Sequence, residues 1–80
     1  MPADGLSKNE RQKLEARIAE IEKLIPSLEQ QAAELTTQMS RPEIAADFPK
    51  LNELTAGHAD LTHNIQALYS EWQSVTEKLG

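Results

Sequence analysis

The feature that most constrains this chain is the spacing of its apolar residues. Leu14, Ile18, Ile21, Ile25, Leu28, Ala32, Leu35 and Met39 follow one another in alternating steps of four and three. Beyond a short interruption, Leu51, Leu54, His58, Leu61, Ile65, Leu68, Trp72, Val75 and Leu79 resume the same rhythm, with His58 the one polar member. A repeat of 3.5 residues held this long makes a narrow seam of a and d positions, which a helix buries against one other helix and not against a broad core. The spacing predicts an all-α chain, an antiparallel two-helix coiled-coil hairpin with a short helical turn at the tip.

Local signals set the boundaries. Met1 to Leu6 holds Pro2 and Gly5 without any apolar period and reads as a disordered leader or linker remnant, residues 1–6. Residues 7–80 form the hairpin, with helix 1 over about 7–39, the turn over about 40–48 and helix 2 over about 49–79. Ser7-Lys8-Asn9-Glu10 has the form of a capping box, and Ser40-Arg41-Pro42-Glu43 repeats that form at the turn. Asp47-Phe48-Pro49 opens the second long helix, where a proline loses no hydrogen bond because first-turn amides have no partner inside the helix. Pro26 is different. It sits inside helix 1 and crowds the Glu22 carbonyl at a cost of about 3 kcal/mol, so a kink is expected there, with a break as the lesser possibility. Gly57 loosens helix 2 by about 1 kcal/mol.

Pairing a with d positions antiparallel fixes a register. Met39 lies opposite Leu54, Leu35 by His58, Ala32 by Leu61, Leu28 by Ile65, Ile25 by Leu68, Ile21 by Trp72, Ile18 by Val75 and Leu14 by Leu79. The two numbers in every layer add to 93. Trp72 is expected to lean over Ile21 towards Leu24, and Ile44 with Phe48 to plug the closed end. A single seam buries little surface, so such a hairpin is marginal alone and either dimerises or belongs to a larger protein. A monomer is the simpler expectation.

Composition narrows the chemistry. Phe48, Tyr69 and Trp72 are the only aromatics among 80 residues, which disfavours an ordinary mixed core. There is no cysteine, hence no disulfide and no thiolate metal site, in keeping with a cytoplasmic location. No apolar run exceeds three residues, so neither a membrane span nor a signal peptide is read. The formal charge of −5 argues against a surface that is basic throughout. No nucleophile–base pair, phosphate-cradling glycine loop or metal motif is present, and no cofactor is expected to bind. His63 lies five residues from His58, a spacing that does not unite two imidazoles on zinc. His58 reads as a register-setting polar residue in the seam. Tyr69, facing Glu22, and Trp72 read as packing residues before a stacking platform for bases. Glu15, Glu22 and Glu29 line one edge about 10 Å apart, too far for paired acid–base work.

Several stretches combine into a family resemblance. Ser7-Lys8-Asn9-Glu10-Arg11-Gln12-Lys13-Leu14-Glu15 leads towards Ile21-Glu22. Met39-Ser40-Arg41-Pro42-Glu43-Ile44, Asp47-Phe48-Pro49-Lys50-Leu51-Asn52-Glu53-Leu54 and Leu68-Tyr69-Ser70-Glu71-Trp72 follow in order. This order resembles the C-terminal coiled-coil domain of ATP-binding cassette proteins of subfamily F, the soluble paired-ATPase group that includes Uup-like proteins. The resemblance implies a domain that follows the second cassette, with ATP and magnesium bound in the parent cassettes only. It also implies cytoplasmic work on ribosomes or DNA.

On that footing the expected function is a non-catalytic accessory arm contacting DNA or ribosomal RNA. Lys8, Arg11, Lys13, Arg17 and Lys78 gather at the open end, and Arg41 and Lys50 flank the tip. Cations near a helix N-terminus oppose the macrodipole by roughly 0.3–1 kcal/mol each, and Arg17 faces Lys78 across one edge. Two small penalties at one place make the open end the better phosphate-contact candidate. The plain alternative for these cations is a solvated helix surface interleaved with Glu10, Glu15 and Glu20. The alternative function is a protein-interaction or spacer coiled coil that packs on its parent protein or dimerises, without nucleic acid.

Overall fold

A computed structural model describes residues 6–80, so the expected leader lies outside the described residues except for Leu6. Two helices of 32 residues, α1 (Lys8–Met39) and α3 (Phe48–Leu79), run antiparallel and are joined by the single-turn helix α2 (Pro42–Ala45). The result is a rod of 63 × 15 × 14 Å.

Each helix starts where its side chains can satisfy the first free amides. Ser7 Oγ accepts from the Glu10 amide at 3.1 Å while Glu10 Oε1 accepts from the Ser7 amide at 3.3 Å, completing the capping box. Asp47 Oδ1 accepts from the Lys50 amide at 3.2 Å and opens α3. The second expected box does not form. Ser40 is still held by α1, its hydroxyl donating to the Thr36 carbonyl at 3.0 Å, and Arg41 caps α2 without any side-chain bond. The backbone closes the turn instead, the Arg41 carbonyl accepting from Ile44 at 3.0 Å and Ala45 at 2.9 Å.

The seam is where its spacing put it. Every position of both apolar series is buried or half-buried, His58 included. Ile21 is wholly inaccessible, and Ile25, Leu54 and Val75 are buried with it. Contacts between the long helices fall around the expected register. They join Arg11 to Leu79, Arg17 to Glu71, Glu22 to Trp72, Glu29 to Tyr69 and Met39 to Thr55, and they set Leu35 against Gly57. The paired numbers add to between 88 and 98, bracketing 93.

α1 continues through Pro26 as one helix, in line with the unbroken heptad phase, and the break does not occur; Pro26 is exposed beside the seam. One further detail differs from expectation. Phe48 does not plug the closed end. As the first residue of α3 it points off the seam and is 73% exposed, leaving Ile44 half-buried beneath the turn without it.

Candidate functional site

Polar contacts between the helices follow the two edges of the seam, and the edges differ in chemistry. On one edge Arg17 makes a two-pronged bond to Glu71, Nε to Oε2 at 2.5 Å and Nη2 to Oε1 at 2.7 Å. Its Nη1 donates to Glu20 Oε1 at 2.6 Å, so one guanidinium serves two carboxylates. The planar fork matches a carboxylate in a way an ammonium does not. Hydrogen bonds to Glu71 and then Glu20 raise the Arg17 pKa further above its ordinary value. The bond from Arg17 lowers that of Glu71.

On the other edge the donors are aromatic. Trp72 Nε1 donates to Glu22 Oε2 at 3.2 Å, and the Tyr69 hydroxyl donates to Glu29 Oε2 at 3.3 Å. The Glu29 charge, reinforced by desolvation and that bond, pushes the Tyr69 phenol up. Glu22, Ile25, Pro26, Glu29, Tyr69 and Trp72 together line an open groove of about 280 Å³.

The expected pairings shift by one step along these edges. Tyr69 bonds Glu29 and not Glu22, whose carboxylate is taken by Trp72. Trp72 lines the groove with Ile25 and Pro26, and Leu24 is exposed. Arg17 meets Glu71 and not Lys78, replacing the expected repulsion with an ion pair. Glu71 was legible as a residue of the same edge, one heptad before Lys78. The roles of Glu22 and Glu29 as acceptors for aromatic donors had no sequence signal beyond their edge.

The proposed phosphate-contact cations are placed as follows. Arg11 is half-buried and its Nη2 donates to the Leu79 carbonyl at 3.4 Å. A cation that opposes the dipole of α1 thereby sits at the carbonyl end of α3, where it is favourable. Lys78, in the last turn of α3, has the same favourable placement. Lys8 is exposed at the start of α1, and Lys13 and Lys78 share a shallow concavity with Leu6, Glu10 and Leu14. At the tip Arg41 is exposed, and Lys50 Nζ lies 4.0 Å from Glu53 Oε2. The structure thus brings Lys13 and Lys78 together, and gives Arg17 to carboxylates.

Among the described residues no cluster of three or more His, Asp or Glu side chains is disposed to hold a metal ion, and His63 is exposed on the outer face. His58 makes no side-chain hydrogen bond to any described residue. No helix of the described residues is long and apolar enough to cross a membrane.

Fold and edges together define a helical hairpin whose apolar seam is closed within the pair and whose edges carry the Arg17–Glu71 ion pair and the Trp72–Glu22 and Tyr69–Glu29 hydrogen bonds. The chain belongs to the ABC transporter C-terminal domain family, whose model matches residues 5–77. It corresponds to the non-catalytic C-terminal domain of an ABC-type ATPase and not to the ATPase core. Comparison with curated proteins and with solved structures returned no match.

Proposed function

We propose that this hairpin is the C-terminal arm of a subfamily F, Uup-like ATPase of the cytoplasm, and that it acts as a protein-interaction and spacer element packing on its parent. Cassettes elsewhere in that parent would bind ATP and magnesium. The observation that carries this reading is a rod 63 Å long with Arg17 locked to Glu71 and Glu20 and Arg11 spanning to the end of α3. These bonds serve rigidity, because each fixes one helix to its neighbour or stiffens a turn. The seam is closed by the chain itself, so a monomer suffices.

The competing reading is phosphate contact by Lys8, Arg11, Lys13, Arg17 and Lys78 at the open end and by Arg41 and Lys50 at the tip. It has less behind it. Its favourable observation is the Lys13–Lys78 concavity, but Glu10 lines the same concavity. The formal charge of −5 opposes nucleic acid at longer range.

Adding the 80-residue chain in trans to a parent protein lacking it separates the two. A saturable complex that changes little with salt, with no DNA or RNA retained at low salt, is the expected outcome. Binding to DNA or RNA that falls steeply as salt rises, and is lost in K8E/R11E/K13E, would transfer the function to phosphate contact.

A further inference from the structure

The groove between α1 and α3 around Pro26 is lined differently from the lysine-bearing concavities of the described residues. Its floor and walls come from Ile25, Pro26, Tyr69 and Trp72, and Tyr69 is 49% exposed. Glu22 and Glu29 stand at its two ends, seven residues or about 10.5 Å apart along the helix. Each gives one carboxylate oxygen to an aromatic donor, and neither has an ion-pair partner among the described residues. Contrast the opposite edge, where Glu20 and Glu71 share Arg17.

The groove therefore combines apolar and aromatic walls with two carboxylates that have no cation among the described residues. That set is complementary to one side chain above others. A guanidinium is planar, stacks on aromatic rings, is weakly hydrated and offers five donors. An ammonium offers three donors and holds its water more tightly. The open groove of about 280 Å³ has room for one such side chain.

We propose that this groove is a docking site for an arginine presented by a partner polypeptide, its guanidinium lying against Trp72 and Tyr69 and bonding Glu22. This rests on the reading of the arm as a protein-interaction element and supplies the chemistry of its partner. Glu29 contributes field and a second acceptor at the far end.

Trp72 is the chain's single tryptophan and reports on the groove directly. The 80-residue chain is titrated with hexa-arginine, hexa-lysine and hexa-citrulline peptides, following Trp72 emission and the heat of binding. Hexa-arginine is expected to bind with a saturating change in emission, and hexa-lysine about tenfold more weakly. E22Q/E29Q should weaken hexa-arginine by about tenfold or more, with circular dichroism showing the helices intact. E15Q/E34Q removes the same charge elsewhere on α1 and should change affinity by no more than about twofold. Equal binding of arginine and lysine peptides, an equal loss in both double variants, or no binding would overturn the proposal. The wider reading is judged separately. If the arm still joins its parent in trans while hexa-arginine fails, only the arginine site falls. If the arm takes up nucleic acid instead of the parent, the interaction reading falls first.

Discussion

The two halves of the hairpin carry the same heptad pattern and are not held together equally. Towards the open end, Ile21, Ile25 and Val75 are buried, and Arg17–Glu71, Trp72–Glu22 and Tyr69–Glu29 tie α1 to α3. Towards the tip, Leu54 alone is buried. There the Thr55 hydroxyl approaches Met39 Sδ at 3.5 Å but donates to the Leu51 carbonyl of its own helix at 2.8 Å, so it ties the helices only weakly. The seam in that half includes Ala32 and His58, with Gly57 beside it. A heptad repeat decides which residues face the partner helix. Side-chain volume decides how well they exclude water, and the long polar residues at the edges decide how firmly the helices are tied.

The sharpest way to break this contrast is to remove equivalent apolar groups from each half. Ile21→Ala should cost about 3 kcal/mol, because the site is fully enclosed and cannot collapse readily. Leu61→Ala, at a half-buried position, should cost about half as much. Urea unfolding followed by circular dichroism measures both, and equal losses would show that the halves are alike. Pro26→Ala acts in the opposite direction. It restores an amide donor to the Glu22 carbonyl on an exposed face and should stabilise the open half by up to about 3 kcal/mol. A smaller gain is expected at the tip. A Cβ on Gly57 would lie 3.5 Å from Leu35 Cδ1, an ordinary contact, so Gly57→Ala should add about 1 kcal/mol and fill the looser half. Loss of stability there would mean that the helices approach more closely at the tip than described.

The smallest effects are those of pH. Glu71 has a lowered pKa in the folded chain, so its bond to Arg17 stabilises at neutral pH. That contribution fades as pH falls from the ordinary carboxylate range through the lowered folded value. Tyr69 has a raised pKa, so its contribution is complete below the ordinary tyrosine value of about 10 and is lost as pH rises through the folded one. Both groups are partly open to water, and the shifts in melting temperature should be modest. E71Q should flatten the acid limb and Y69F the alkaline limb in thermal melts.

Much of this was legible in the sequence, for identifiable reasons. The seam, the hairpin and the caps at Ser7 and Asp47 depend on spacing and on local hydrogen bonds, which a sequence displays. What went astray depends on reach. Residues seven apart on one edge, such as Glu22 and Glu29 or Glu71 and Lys78, are equivalent to a heptad reading, and side-chain length and charge choose between them. Ser40 resembles a cap until Thr36 is seen to hold its hydroxyl as the last turn of α1 closes. Phe48 resembles a plug until α3 begins on it and turns its ring outward. The Pro26 groove has no linear signature, because its walls come from residues more than 40 positions apart.

The central claim is that α3 folds back along α1 with its tryptophan beside the middle of the first helix. Nuclear Overhauser spectroscopy on a monomeric sample tests it most directly, since Trp72 gives a single set of indole signals. The account predicts cross-peaks from that indole to the side chains of Ile25 and Pro26. Cross-peaks confined to residues of α3, or arising only between two chains, would contradict it.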